Sequence, residues 1–168
     1  MISKPFDDVI KEIKELVEKG YKEIVISGTR LGAYNFEGRR LKDLLLKIEK
    51  LDGDFRVRLS SLEPNEIDKE LIAIMKNSER FCSYLHIPLQ SASDKVLRSM
   101  KRPYTVKMFI EKIEMIKNNL DDVGVYSDVI VGYPDETDKD FKETFETIKR
   151  LKLSGLHVFT YSPRPFTK

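Results

Sequence analysis

Apolar residues recur along this chain with two spacings, a helical one near 3.6 residues and a strand one of two. Phe6, Val9, Ile10, Ile13, Leu16 and Val17 fall on one helical stripe with Lys and Glu between them, and Gly20 closes the segment as a C-terminal cap. Residues 22–27 (KEIVIS) then predict a short strand ending at Gly28. A helix over 39–51 follows and leaves through Asp52-Gly53, and FRVRLS at 55–60 alternates as a strand. Pro64 and Asn65 open a helix that runs to Lys76, with Asn65 as its N-cap. The pattern repeats with a strand at 81–89, a short helix at 93–100, a longer helix at 105–119, a strand at 123–131, a helix at 138–151 and a strand at 156–161.

This order gives a leading helix and five strands, each consecutive pair joined through a helix. Strict alternation with short loops predicts an α/β fold with a parallel sheet and right-handed crossovers. Polar groups end several strands: Ser27-Gly28-Thr29-Arg30, Ser60-Ser61, Gln90-Ser91, Gly132 and Tyr161-Ser162. Any one of these is ordinary turn chemistry. Together they point to a site at the C-terminal edge of a barrel or an open sheet. Residues 1–168 read as one domain, without linker, repeat or low-complexity stretch. A leading helix with no strand before it is unusual for such a fold and predicts that part of the domain lies upstream.

Charge changes this picture little. The 168 residues carry 30 Lys+Arg against 28 Asp+Glu, a net charge of +2, too balanced to demand nucleic acid as a partner. No apolar run approaches the roughly 20 residues of a membrane helix, so a soluble, cytoplasmic protein without membrane contact is expected. A single cysteine, Cys82, excludes an internal disulfide and cannot by itself hold a thiolate-ligated zinc or iron–sulfur cluster.

Two segments carry candidate chemistry. In HIPLQSAS (86–93), His86 alternates with Tyr84 and Pro88, as a partly buried interior histidine would. Gln90 and Ser91 at the strand exit suit a hydroxyl-rich ligand, and Ser93 is placed to cap the next helix. In DVIVGYPDET (128–137), Asp128 inside an apolar strand needs buried partners. Gly132 permits close backbone approach, and Asp135 and Glu136 favour the positive end of the helix that follows. Tyr161 followed by Arg164 offers an aromatic and a cation at the last strand end. Walker, GxGxxG, HExxH and GxSxG patterns do not occur.

KEIVISGTRLGAYN, RLSSLEPNEID, LHIPLQSASDKVLRSMKRPYT, DVIVGYPDETDKDFKETFETIK and FTYSPRPFTK together resemble, in order and spacing, the radical-SAM domain of tRNA methylthiotransferases, the MiaB-like family. The resemblance implies an incomplete, TIM-like (β/α) barrel of five parallel strands with S-adenosylmethionine at the strand C-termini. It also implies methylthiolation of an adenosine beside the tRNA anticodon, with two 4Fe-4S clusters. Matched by motif, Gly28 and Thr29 would lie near the methionine amino group and Gln90 and Ser91 near the ribose. Asp128, Gly132 and Glu136 would lie on the adenine side, with Tyr161 on the last barrel strand. SGTR leans toward the branch acting on threonylcarbamoyl-adenosine, while Ala92 and Phe166 stand where the family carries glycine. The family's CxxxCxxC loop and TRAM domain have no counterpart in this sequence, which therefore reads as a core fragment with no metal ligands of its own, inactive alone. A ribosomal-protein methylthiotransferase or other radical-SAM enzyme core, and a cluster-free nucleotide- or RNA-binding barrel, are the alternatives. Loss of a neighbour beside strand 22–27 would leave an apolar edge able to form a homodimer.

Overall fold

The computed structural model describes residues 2–163. Helix α1 (Phe6–Glu18) buries Phe6, Ile10 and Ile13 of the expected stripe. It leads to strand β1 (Glu23–Ile26). A hairpin that the periodicity did not reveal comes next, β2 (Asn35–Phe36) against β3 (Arg39–Arg40), antiparallel. Its turn residues Glu37 and Gly38 both have positive φ, 51° and 84°, the backbone that a two-residue hairpin turn demands. Two-residue strands are too short for alternation to register.

Helix α2 (Leu41–Glu49), strand β4 (Arg56–Leu59) and helix α3 (Lys69–Lys76) follow. The third helix starts later than its sequence implied. Pro64–Glu66 forms only a single 3-10 turn, and Asp68, not Asn65, is the N-cap, accepting from the Leu71 amide at 2.9 Å. The second half runs through β5 (Tyr84–His86), α4 (Asp94–Ser99), α5 (Val106–Asn119), β6 (Gly124–Val131), α6 (Asp138–Leu151) and β7 (Gly155–Thr160).

Apart from the hairpin, the strand pairing among the described residues is parallel. β1 pairs with β4, and β5, β6 and β7 form a continuous ladder. A parallel bridge between Val57 and Phe81 links the two groups, with the Cys82 amide donating to the Val57 carbonyl at 2.9 Å. Alternation then sorts side chains into two faces. Ile24, Val57, Leu59, Leu85, Val125 and Val129 are buried in one core with Leu45, Ile48, Phe109 and Ile116 of the helices. The opposite face carries Val25, Arg58, Tyr84, His86, Tyr126, Asp128 and His157, of which Val25 and His157 are exposed and the others only half-buried. No described helix is long and apolar enough to cross a membrane.

The ladder between β5 and β6 contains one irregularity. His86 is opposite Tyr126 and Gln90 is opposite Val129, so four steps on one strand span three on the other. Pro88 has no amide to donate, and the extra residue is accommodated there as a bulge. The buried Ser127 hydroxyl bridges the gap, donating to the Ile87 carbonyl at 2.7 Å and accepting from the Leu89 amide at 3.0 Å.

Replacing the Asp68 cap tests the revised helix start. Asp68→Ala should lower unfolding free energy by about 1 kcal/mol in urea titrations, whereas Asp68→Asn should keep most of it; Asn65→Ala should be nearly neutral.

Candidate functional site

The polar strand exits gather at the C-terminal ends of the parallel strands. After β1, Ser27, Gly28, Thr29 and Arg30 are exposed and border a cavity of about 480 Å³ that is backed by α1. Arg30 is held by Glu66, at 2.9 and 3.2 Å. After β4, two buried oxygens have no hydrogen-bond partner, Ser60 Oγ and Glu63 Oε2. The other Glu63 oxygen accepts from Arg102 at 3.1 Å. Burial pushes the Glu63 carboxyl above its ordinary pKa, although Arg102 opposes the rise. Ser60 was visible in sequence as a polar strand end. Glu63 was not, because a lone carboxylate before proline has no distinguishing spacing.

After β5, Gln90 takes a left-handed backbone, φ 64°, and is buried. Its amide donates to the Asp128 carbonyl at 2.8 Å and its carbonyl accepts from Ile130 at 2.9 Å, so it continues the ladder past the bulge. The bulge also inverts the alternation. Ser91 is consequently turned toward α6, fully buried, with its hydroxyl 3.3 Å from Thr144 Oγ1 and accepting from the Ser93 amide at 3.2 Å. That side chain is a brace between loop and helix and does not face the strand-end site.

Ser93 departs from its expected capping bond in the same way. Its hydroxyl donates to Asp140 Oδ1 at 2.6 Å instead of capping α4. Asp140 also accepts from the Thr137 amide at 2.9 Å and the Thr137 hydroxyl at 2.6 Å, with Lys95 Nζ at 3.4 Å. The Ser93 hydroxyl, then Thr137, hold the Asp140 carboxyl far below the ordinary carboxylate range. One carboxylate thus ties the loop after β5 to the start of α6.

Just after β6, Gly132 has φ 76° with open space where a side chain would stand, and its amide donates to Glu136 Oε2 at 2.6 Å. Glu136 therefore closes the β6 exit turn in addition to preceding the helix. Tyr161, whose amide donates to the Val131 carbonyl at 2.8 Å, meets Tyr133 edge-on with ring centres 5.2 Å apart. Arg164 lies outside the described residues.

Asp128 has the partners its position required. Oδ1 lies 2.8 Å from His86 Nε2 and 3.1 Å from His157 Nδ1. His86 had appeared as an isolated interior residue, and His157 had no motif at all. Parallel register places His157 beside Asp128, a relation between distant strands that local spacing does not encode. Deeper on the same face, Glu23 pairs with Arg58 at 2.7 and 3.1 Å, and Arg58 lies 4.5 Å over the Tyr84 ring. Cys82 is buried near the opposite end of the strands, its thiol pushed up by burial.

Comparison with known proteins agrees with this geometry. The profile of the Radical SAM superfamily matches residues 1–148. The chain belongs to that superfamily. This radical SAM chain is 43% identical over 166 residues to the threonylcarbamoyladenosine tRNA methylthiotransferase MtaB of Thermotoga maritima, covering 98% of the chain and 38% of the relative. It is 38% identical over 162 residues to the tRNA-2-methylthio-N(6)-dimethylallyladenosine synthase of Thermodesulfovibrio yellowstonii, covering 96% of the chain and again 38% of the relative. The chain thus spans well under half the length of these relatives. Among solved structures, the radical S-adenosylmethionine methyltransferase TsrM from Kitasatospora setae has a TM-score of 0.76 at 13% identity, over 94% of this chain and 31% of that one. Coproporphyrinogen III oxidase (HemN) from Escherichia coli has a TM-score of 0.71 at 16% identity, over 95% of this chain and 38% of that one. At such identities the two structures establish the radical SAM fold only.

The Asp140 hub should be visible in the pH dependence of stability. Its folded-state pKa is depressed, so the stabilisation is complete above the unfolded value near 3.8 and fades as pH falls below it. Asp140→Asn should melt below wild type at pH 7, with the gap narrowing from pH 4 toward pH 2 in thermal scans. A gap constant with pH would remove the carboxylate from this role.

Proposed function

We propose that this chain is the core of a radical SAM tRNA methylthiotransferase acting on threonylcarbamoyl-adenosine. The observation that carries the reading is the 43% identity to MtaB across nearly the whole chain. The dimethylallyladenosine synthase activity is the second reading, supported by 38% identity over a similar span. In either case tRNA is the partner and the cytoplasm the site of action. The five parallel strands, in spatial order β1-β4-β5-β6-β7, make an incomplete barrel whose interior is the face opposite the helix-packed core.

The residues present fit S-adenosylmethionine. Ser60 Oγ and Glu63 Oε2 are buried acceptors awaiting donors, and a ligand amino group would satisfy the carboxylate. Gly28 and Thr29 line the cavity that follows β1, the strand paired with β4, and the exposed backbone turn at Gly132 leaves room for a flat base near Tyr133 and Tyr161. Gln90 and Glu136 keep those turns in shape, and Asp128 presents its carboxylate from the barrel wall. When bound, S-adenosylmethionine supplies a transferable methyl group and, upon one-electron reduction, a carbon radical. The residues do not fit a 4Fe-4S cluster. Such a cluster needs several thiolates, and the one cysteine is buried at the far end of the strands.

Calorimetry on the chain should detect weak S-adenosylmethionine binding, about −4 to −6 kcal/mol, with Glu63→Gln weakening it roughly tenfold, or about 1.4 kcal/mol. Nucleoside mass spectrometry after deletion of the source gene should show loss of the methylthio group from threonylcarbamoyl-adenosine. Loss from dimethylallyl-adenosine instead would select the second reading, and unchanged tRNA would defeat both.

We also propose self-association through β1, which has one neighbour among the described strands and exposes Val25. Light scattering at high concentration should reveal a species above 19.6 kDa, which Val25→Lys shifts toward monomer. A chain that stays monomeric would show this edge to be protected, with Lys22 and Glu23 as the charged guard.

A further inference from the structure

We infer that His86, Asp128 and His157 form a binding site for one divalent first-row transition metal, separate from any iron–sulfur cluster. The three residues come from adjacent parallel strands, β5, β6 and β7, and project from the same face of the sheet. Each offers one ligand atom, and these lie within 4.8 Å of one another. Two imidazole nitrogens with one carboxylate oxygen are the donor set that takes ferrous iron, cobalt, nickel or zinc, whereas magnesium and calcium prefer oxygen alone.

Two of the three ligand separations agree with coordination as they stand. Asp128 Oδ1 is 2.8 Å from His86 Nε2 and 3.1 Å from His157 Nδ1. With metal–ligand bonds of about 2.1 Å, those separations subtend angles of about 84° and 95° at the metal. Such angles belong to neighbouring positions of an octahedron, not to the wider angles of a closed tetrahedral site. His86 and Asp128 sit on well-paired strands with side chains only 15% and 19% exposed, so two ligands are held in place. His157 is 54% exposed on the last strand of the ladder and has room to swing its ring onto a common ion. Three protein ligands leave the remaining positions for water or a small ligand on the open side. A purely hydrogen-bonded cluster is the competing account of the same contacts. It requires protons on His86 Nε2 and His157 Nδ1, where a metal requires bare lone pairs.

The site does not depend on the methylthiotransferase reading, because its ligands and their geometry belong to this chain alone. Its place on the barrel wall, with nitrogen ligands and no sulfur, distinguishes it chemically from a cluster site.

Isothermal titration of the metal-stripped full chain with Ni²⁺, Co²⁺ and Zn²⁺, each alone, tests the site. One equivalent should bind with a dissociation constant in the micromolar range, and Mg²⁺ should not compete. His157→Ala, at an exposed position that keeps the fold, should weaken binding at least tenfold, and Asp128→Asn should do the same or more. Cys82→Ser should bind like wild type. Absence of binding up to about 1 mM, or binding that survives His157→Ala, or binding abolished by Cys82→Ser, would overturn the proposal and leave the three residues as a hydrogen-bonded cluster.

Discussion

The period-two alternation of β6 governs the rest of this molecule. Val125, Ser127 and Val129 face the helices and are fully or nearly fully buried, so the strand cannot slip by one residue without burying Asp128 and exposing the core. Because that register is locked, Tyr126, Asp128 and Ile130 must face the open side, and the strands on either side deliver His86 and His157 to the same carboxylate. The strength of the hydrophobic core therefore fixes the geometry of a polar cluster on the opposite face of the same strands.

A second constraint lies at the bulge. Pro88 interrupts the ladder, and Ser127 repairs it from the core side with a hydroxyl where an amide is missing. The extra residue places Gln90 in a left-handed turn and sends Ser91 and Ser93 inward, where Thr144 and Asp140 receive them. What looks in sequence like a run of ligand-binding polar residues divides into two groups with different jobs. Gln90 shapes the rim, while the serines bind the loop to α6. The hydrogen bonds to Asp140 come from a hydroxyl, an amide and a second hydroxyl, so one carboxylate fastens the loop after β5 to the start of α6.

The two ends of the strands are chemically unlike. At the amino ends, Arg80 donates to the Leu51, Gly53 and Phe55 carbonyls and lies 4.0 Å over the Phe55 ring, closing the base with structural contacts. At the carboxyl ends, Ser60 and Glu63 keep buried oxygens without partners, and glycine turns remain open. Unsatisfied buried acceptors cost stability. Among the described residues, the two buried side-chain oxygens without partners both follow β4 at this end.

The sequence by itself determined the order of the helices and of the five parallel strands, though not the short β2–β3 hairpin, together with the family and the chemical character of the strand exits, because each of these is written in local periodicity or in contiguous motifs. It also placed Asp128 as a carboxylate in need of partners. Tertiary structure alone decided who those partners are, since His86 and His157 reach it through the register of three strands separated by dozens of residues. It also moved the α3 cap to Asp68, because Pro64 to Glu66 is spent on a 3-10 turn, and it turned Ser91 away from the site through a bulge that shifts side-chain direction by one residue. Local patterns record the preferences of short segments. Which side chains meet depends on how the packed core sets one strand against the next.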